Sequence, residues 1–209
     1  MRLRVTFSKT GPLIFIGNLD LLTIWERAAR RAGLALQYSK GFHPQPKIQF
    51  AAPLPLGFSS SCEMVDIRID EEADCAQVSE RLQAVLPAGL AIHAIEAIDP
   101  AAPALAALLR VAEYDVALAE LVSAAHLEES VTGLVSESSL PRERRGKRYD
   151  LRPLIESLEL TETPGTAGPV LRMRLKAMQG ATGRPDEVLE ALGLKRQDAR
   201  IERTALIFG

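Results

Sequence analysis

Residues 2–34, "RLRVTFSKTGPLIFIGNLDLLTIWERAARRAGL", set the reading of the fold, because the hydrophobic period changes inside them. In "RLRVTFSK" the apolar residues Leu3, Val5 and Phe7 recur every second position, the pattern of a strand with one buried face. From Gly17 onward Leu21, Trp25, Ala28 and Ala32 form the stripe of an amphipathic helix, with Arg27, Arg30 and Arg31 on its exposed side. Asn18 is the expected N-cap, Asp20 suits the positive end, and Gly33 is placed as the C′ residue.

Further strands and a helix follow. "LALQYS" (34–39) reads as a second strand. "KIQFAAPLPLG" (47–57) is extended but interrupted by Pro53 and Pro55, so any strand there is short or at an edge. "EMVDIRID" (63–70) alternates around Val65, Ile67 and Ile69, residues 74–86 form a helix around Val78, Leu82 and Val85, and "LAIHAIEAI" (90–98) is the last strand of this half. The order β-α-β-β-α-β is that of a ferredoxin-like antiparallel sheet backed by two helices. After an Ala/Pro-rich connector the order recurs more loosely, with strands at "AEYDVALA", "PVLRMRLKA" and "RIERTALIF" and helices at 123–135 and "RPDEVLEALG". Pro185 fits the first turn of the last helix, Asp186 and Glu187 its N-terminal end, and Gly193 its stop. The expected fold class is α+β, two tandem ferredoxin-like units with antiparallel sheets backed by helices. Their bounds are 1–99 and 112–209, joined by a connector at 100–111, although no internal sequence repeat is visible.

The chain has 209 residues, 47% hydrophobic and 25% charged, enough for one large or two small domains with a real core. Aromatics are 5%, so aliphatic side chains build most of it. No apolar run approaches the ~20 residues of a membrane span, the N-terminal stretch lacks the apolar run of a signal peptide, and the expectation is a cytoplasmic protein. Two cysteines, Cys62 and Cys75, cannot make a disulfide framework, and no metal or cofactor is expected: metal-ligand clusters, Walker A, G-x-G-x-x-G and iron–sulfur spacings are missing from the sequence.

The net charge of −2 conceals an asymmetry. Residues 1–50 carry eight Lys/Arg against two Asp/Glu, residues 51–140 three against fifteen, and residues 141–209 fourteen against ten. Two basic segments bracketing an acidic middle fit either a polyanionic partner or internal pairing.

Two motifs carry the candidate chemistry. In "YSKGFHPQPKIQF" (38–50), Gly41, Pro44 and Pro46 stiffen a loop that presents Lys40, His43, Gln45 and Lys47 beside Tyr38, a set suited to phosphate and base contacts. Its bland reading is a corner between strands. Metal-free RNA cleavage with His43 as base needs a second acid–base group, which neither His93 nor His126 supplies by position. The basic loop 141–149, in "PRERRGKRYDLRPLIESLEL", is denser in charge. Arg142, Arg144, Arg145, Lys147 and Arg148 are opposed only by Glu143, Gly146 permits a flexible loop or hairpin, and Tyr149 offers a ring for a base. Arg184, with Gly180 and Gly183, precedes the last helix as a weaker anion candidate, since helix capping explains the same residues.

The stretch from "FSKTGPLIFIGNLDLLTIWERAARRAGL" through "YSKGFHPQPKIQFAAPLPLGFSS" to "CEMVDIRID" resembles the radical-SAM-linked domain family, an uncharacterised bacterial group, and "YDLRPLIESLEL" and "GRPDEVLEALGL" resemble its C-terminal part. The resemblance implies a chain encoded beside, or fused behind, a radical S-adenosylmethionine protein, with gene neighbours concerned with ribosomes and RNA. One departure is Gly17-Asn18, where the resemblance leads one to expect a serine–histidine pair. The expected function is a non-enzymatic accessory of a radical SAM enzyme that binds RNA or docks substrate through basic loops. A small metal-independent endoribonuclease using His43 and a pure protein–protein adaptor are the alternatives. The radical SAM protein and RNA are the expected partners.

Overall fold

Buried alternation and antiparallel pairing govern both halves of the chain. The computed structural model describes residues 1–119, 124–144, 146–161 and 168–209. Two compact units divide it, Met1–Leu109 and Arg110–Gly209. Each is mixed α+β, with few helices and mostly antiparallel strand pairs. No helix among the described residues is long and apolar enough to cross a membrane.

In the first unit, strand β1 (Arg2–Lys9) lies between β3 (Ser59–Arg68) and β4 (Leu90–Ile98), antiparallel to both, and the short β2 (Ile48–Phe50) pairs with β3. Helices α1 (Asn18–Arg31) and α2 (Cys75–Gln83) supply the remaining apolar faces of the core. Leu3, Val5 and Phe7 are fully buried, and the ring of Phe7 meets Trp25 of α1 edge-on, with centroids 4.8 Å apart at 63°. The predicted stripe of α1 is therefore the stripe that packs: Leu21, Trp25, Ala28 and Ala32 are all buried.

Three local expectations change. Gly17 is the extended residue that caps α1, and Asn18 is already its first helical residue. The other end behaves as expected: Gly33 has φ +72° and donates its N–H to Arg30 O at 3.1 Å, while Leu34 donates to Ala29 O at 3.0 Å, which closes the helix as a Schellman motif. "LALQYS" is not a strand. Its ladder pairing among the described residues is limited to the isolated bridges Leu36↔Ile69 and Tyr38↔Pro46, and the second strand position is filled by Ile48–Phe50. The third strand starts earlier than the alternation of 63–70 indicates, because Ser60 already pairs with Lys9 across a register shift.

Within the first unit, residues 100–108 include one helical turn, α3 (Leu105–Leu108), and attach to its sheet through Arg2, whose guanidinium donates to the Ala102 and Pro103 carbonyls. The same group, 2% exposed, meets the Asp66 carboxylate at 2.6 Å, and Arg4 adds a second contact to Asp66 at 2.9 Å.

The second unit runs β5 (Leu109–Leu118), α4 (Ala124–Ser136), β6 (Pro141–Arg144), β7 (Lys147–Asp150), β8 (Ile155–Thr161), β9 (Val170–Met178), β10 (Ala181–Thr182), α5 (Pro185–Ala191) and β11 (Ala199–Phe208). Strand β9 pairs antiparallel with β5 on one edge and with β8 and β10 on the other, and β11 neighbours β5. Strands β6, β7, β8 and β10 are additions to the order expected from the sequence. Helix α5 begins with Pro185 and closes at Gly193, φ +73°, in a second Schellman motif.

Among the described residues Asp66 is the carboxylate that pairs with buried Arg2, so its removal leaves an unpaired charge buried at the sheet. Asp66→Ala is expected to destabilise the protein by about 3–5 kcal/mol, the usual cost of orphaning one member of a buried pair. Denaturant unfolding of the variant against the parent measures this directly.

Candidate nucleic-acid interface

Charge density alone predicts a solvated loop at 141–149; the structure makes it a hairpin. β6 and β7 pair antiparallel from Pro141↔Asp150 to Arg144↔Lys147. Gly146 takes φ +75° at the turn, where a side chain is disfavoured, and Arg145 lies outside the described residues. The base of the hairpin is latched by Asp150: its Oδ1 accepts from the backbone N–H of Leu140 at 2.7 Å and of Arg152 at 2.9 Å. These donors, Leu140 first, hold the Asp150 carboxyl below the usual carboxylate range. Arg152 in turn donates to Val135 O at the end of α4 and to Ile155 O at the start of β8.

Residues opposite one another in an antiparallel pair share a face. Arg142 stands opposite Tyr149 and Arg144 opposite Lys147, so three cations and one ring share one face of the hairpin. Glu143 and Arg148 form the other pair and meet at 3.5 Å, both well exposed. The first face borders a groove of about 800 Å³ that also receives Pro153, Leu154, the Gly180–Thr182 turn, Arg184 and Glu187; Lys147, Arg148, Tyr149 and Asp150 line it as well. Gly183 presses this turn inward: a Cβ there would lie 2.9 Å from Leu154 O and 3.1 Å from Leu175 Cβ.

Glu187, in the first turn of α5, sits among these cations. Its Oε1 is 3.8 Å from Arg144 Nη1 and 4.0 Å from Arg184 Nε. Burial pushes the Glu187 carboxyl above the usual range, opposed by Arg144 and Arg142 and reinforced by Glu190. Arg184 itself folds onto Asp186 through two contacts of 3.1 Å, so it serves as a partly neutralised wall of the groove rather than as a free anion hook. The sequence-predicted cations Arg144, Lys147, Arg148 and Arg184 thus line one groove, and Arg142 stands on the same strand face. Glu187 went unread as a site residue. Its local pattern is that of any acidic residue at a helix start, and only the docking of β6 beside α5 gives it a role.

The Lys40 loop belongs to the first unit. It is pinched at its neck, where Ser39 N–H donates to Gln45 O at 2.8 Å, Gln45 N–H to Ser39 Oγ at 2.9 Å and Lys47 N–H to Gln37 O at 2.8 Å. Gly41 turns at φ +136°, and Lys40, His43, Gln45 and the fully exposed Phe42 stand in solvent. Lys47 Nζ reaches Gln37 Oε1 at 3.4 Å. Tyr38 is held by Arg30, which donates to its hydroxyl at 2.7 Å and lies 5.8 Å from the ring centroid. Among the described residues His43 makes no hydrogen bond, and no group of three or more His, Cys, Asp or Glu is placed to hold a metal ion.

Burial raises the Glu187 carboxyl, so the native state keeps its proton to higher pH than the unfolded chain does. The native state therefore binds more protons over that interval, and stability falls as pH rises from the ordinary glutamate range through the raised one. Glu187→Gln is expected to flatten this segment of the stability–pH curve, as read by thermal unfolding of both proteins across pH 4 to 8.

A family described as "Uncharacterized protein conserved in bacteria (DUF2344)" matches residues 2–185, which include the Lys40 loop, the hairpin and Arg184. No curated protein matches the chain.

Proposed function

The chain belongs to this conserved bacterial family, DUF2344, and from that premise we propose that it is a non-enzymatic accessory protein that binds single-stranded RNA along the groove of its second unit. One observation carries the reading. Arg144, Lys147 and Arg148 on the hairpin and Arg184 before α5 are distant in sequence, yet they line one groove with Tyr149. Guanidinium and ammonium groups neutralise phosphates, and an aromatic ring gives an unstacked base a surface, the usual elements of single-strand binding. A volume of about 800 Å³ accommodates a nucleotide-sized ligand. The Lys40 loop, with Lys40, His43, Gln45 and Lys47, is a second basic surface and belongs to the first unit. The partner proposed with it is a radical SAM protein, on the strength of the sequence resemblance alone.

A second reading, the protein–protein adaptor, is favoured by a different observation. The large apolar side chains most exposed among the described residues are Phe15, Leu19, Phe42 and Leu56, all in the first unit. Backbone pairing of Gly57 N–H with Ile14 O at 2.8 Å brings the segments carrying Leu56 and Phe15 together. Exposed apolar side chains grouped in this way suit a protein surface better than a phosphate backbone. The endoribonuclease reading has no comparable observation behind it.

Fluorescence anisotropy with a labelled uridine 12-mer tests the proposal. With Arg184 already paired to Asp186, neutralising phosphates with Arg144, Lys147 and Arg148 should give a log–log salt slope of about −2, at about −0.7 per phosphate. Lys147→Glu with Arg148→Glu should weaken binding to unrelated sequences equally and flatten the slope, whereas Glu128→Lys with Glu129→Lys on α4 should change little. If the oligomer does not bind at low salt, or binds the reversed hairpin equally well, the RNA reading is wrong and the adaptor reading takes its place.

A further inference from the structure

Inside the basic groove one group has the wrong sign for an anion site. Glu187 is 12% exposed, its Oε1 faces Arg144 and Arg184 at 3.8 and 4.0 Å, and these are ion pairs too long to be hydrogen bonds. Its Oε2 is buried and accepts no hydrogen bond. Nearby on β6, Arg142 has its Nε buried with no acceptor, while its Nη1 donates to the Pro141 carbonyl at 2.9 Å. Glu187 nonetheless lines the groove, so a description of the ligand has to answer a carboxylate as well as the cations around it.

A bare anion does not meet that description. Phosphate oxygens satisfy Arg144 and Lys147, but an ionised carboxylate only accepts, and a phosphate diester offers it nothing except repulsion. The ligand has to carry a hydrogen-bond donor next to its negative charge. Resting on the reading of the groove as an RNA site, we propose that the Glu187 carboxylate accepts a hydrogen bond from a ribose 2′-hydroxyl, and that the groove thereby selects RNA over DNA. The 2′-hydroxyl adjoins the 3′-phosphodiester, so donor and anion arrive together at fixed spacing. A hydroxyl also accepts while it donates, which allows one group to answer both the Glu187 carboxylate and an arginine N–H. Deoxyribose leaves the carboxylate unpaired and still facing phosphate, so Glu187 works against DNA as much as for RNA.

The experiment compares a uridine 12-mer, its deoxyuridine counterpart and its 2′-O-methyl form on the intact protein. A hydrogen bond to a charged acceptor corresponds to about tenfold or more in affinity, and the unmodified RNA should exceed both others by that factor. The 2′-O-methyl strand keeps the oxygen and loses the donor, so it should bind like DNA. Glu187→Gln should narrow the RNA/DNA ratio and raise DNA affinity, and Glu187→Met, similar in length but without an acceptor, should abolish the preference; circular dichroism melts establish that each variant is folded. Equal affinity for RNA and DNA, or full-strength binding of the 2′-O-methyl strand, with the salt slope intact, overturns this inference and leaves the phosphate-binding groove standing. Failure of all three strands to bind overturns both.

Discussion

The carboxylate of Asp66 accepts from Arg2 and Arg4 together, and the architecture of the first unit depends on that arrangement. Arg2 donates through Nε and Nη2 to Oδ2, and Arg4 through Nε to Oδ1 and Nη2 to Oδ2. Asp66 stands directly opposite Arg4 in the β1/β3 pair, so the contact exists in one register only. A slip by one residue would turn Leu3, Val5 and Phe7 out of the core and part both arginines from Asp66. Arg2 also holds the carbonyls of Ala102 and Pro103, which joins the chain beyond β4 to the same sheet. Lysine could not replace it, since one ammonium does not present the planar fork that reaches a carboxylate and two carbonyls at once.

A similar use of one carboxylate organises the candidate interface. A hairpin with cations on half of its paired positions repels itself and gains little from its own packing. Asp150 fixes its base through two backbone N–H groups, and Arg152 ties that base to α4 and β8. Glu187 then provides a countercharge for the inward face while leaving one oxygen unpaired. The hairpin's base and Arg144 are therefore held by these carboxylates, while Lys147 and Arg148 stand exposed beyond them.

The Lys40 loop achieves order by another route. Ser39 and Gln45 close its neck by reciprocal hydrogen bonds, and the prolines on either side of Gln45 restrict the backbone, yet its tip presents a fully exposed Phe42. Its sequence drew notice for His43 and its lysines, while the exposure of Phe42 depends on where the rest of the first unit ends.

Periodicity by itself determined which stretches form the main strands and helices, because burial of one face is written into the spacing of apolar residues along each segment. Leu3, Val5 and Phe7, the stripe of α1, and the glycine stops at Gly33 and Gly193 are local properties of this kind. The same holds for the cation run at 142–148, whose charge is visible without any fold. What periodicity could not decide was partnership. "LALQYS" has the composition of a strand but finds only single bridges, whereas the stretch at 47–57, expected to hold at most a short or edge strand, pairs Ile48–Phe50 in register with Ile67–Val65. Strand β8 reads weakly on its own and exists because β9 offers an open edge. Glu187 became part of a basic groove only when β6 came to rest beside α5. Hydrogen bonds between strands and the desolvation of a carboxylate are set by neighbours remote in sequence, and those neighbours are supplied by the tertiary structure alone.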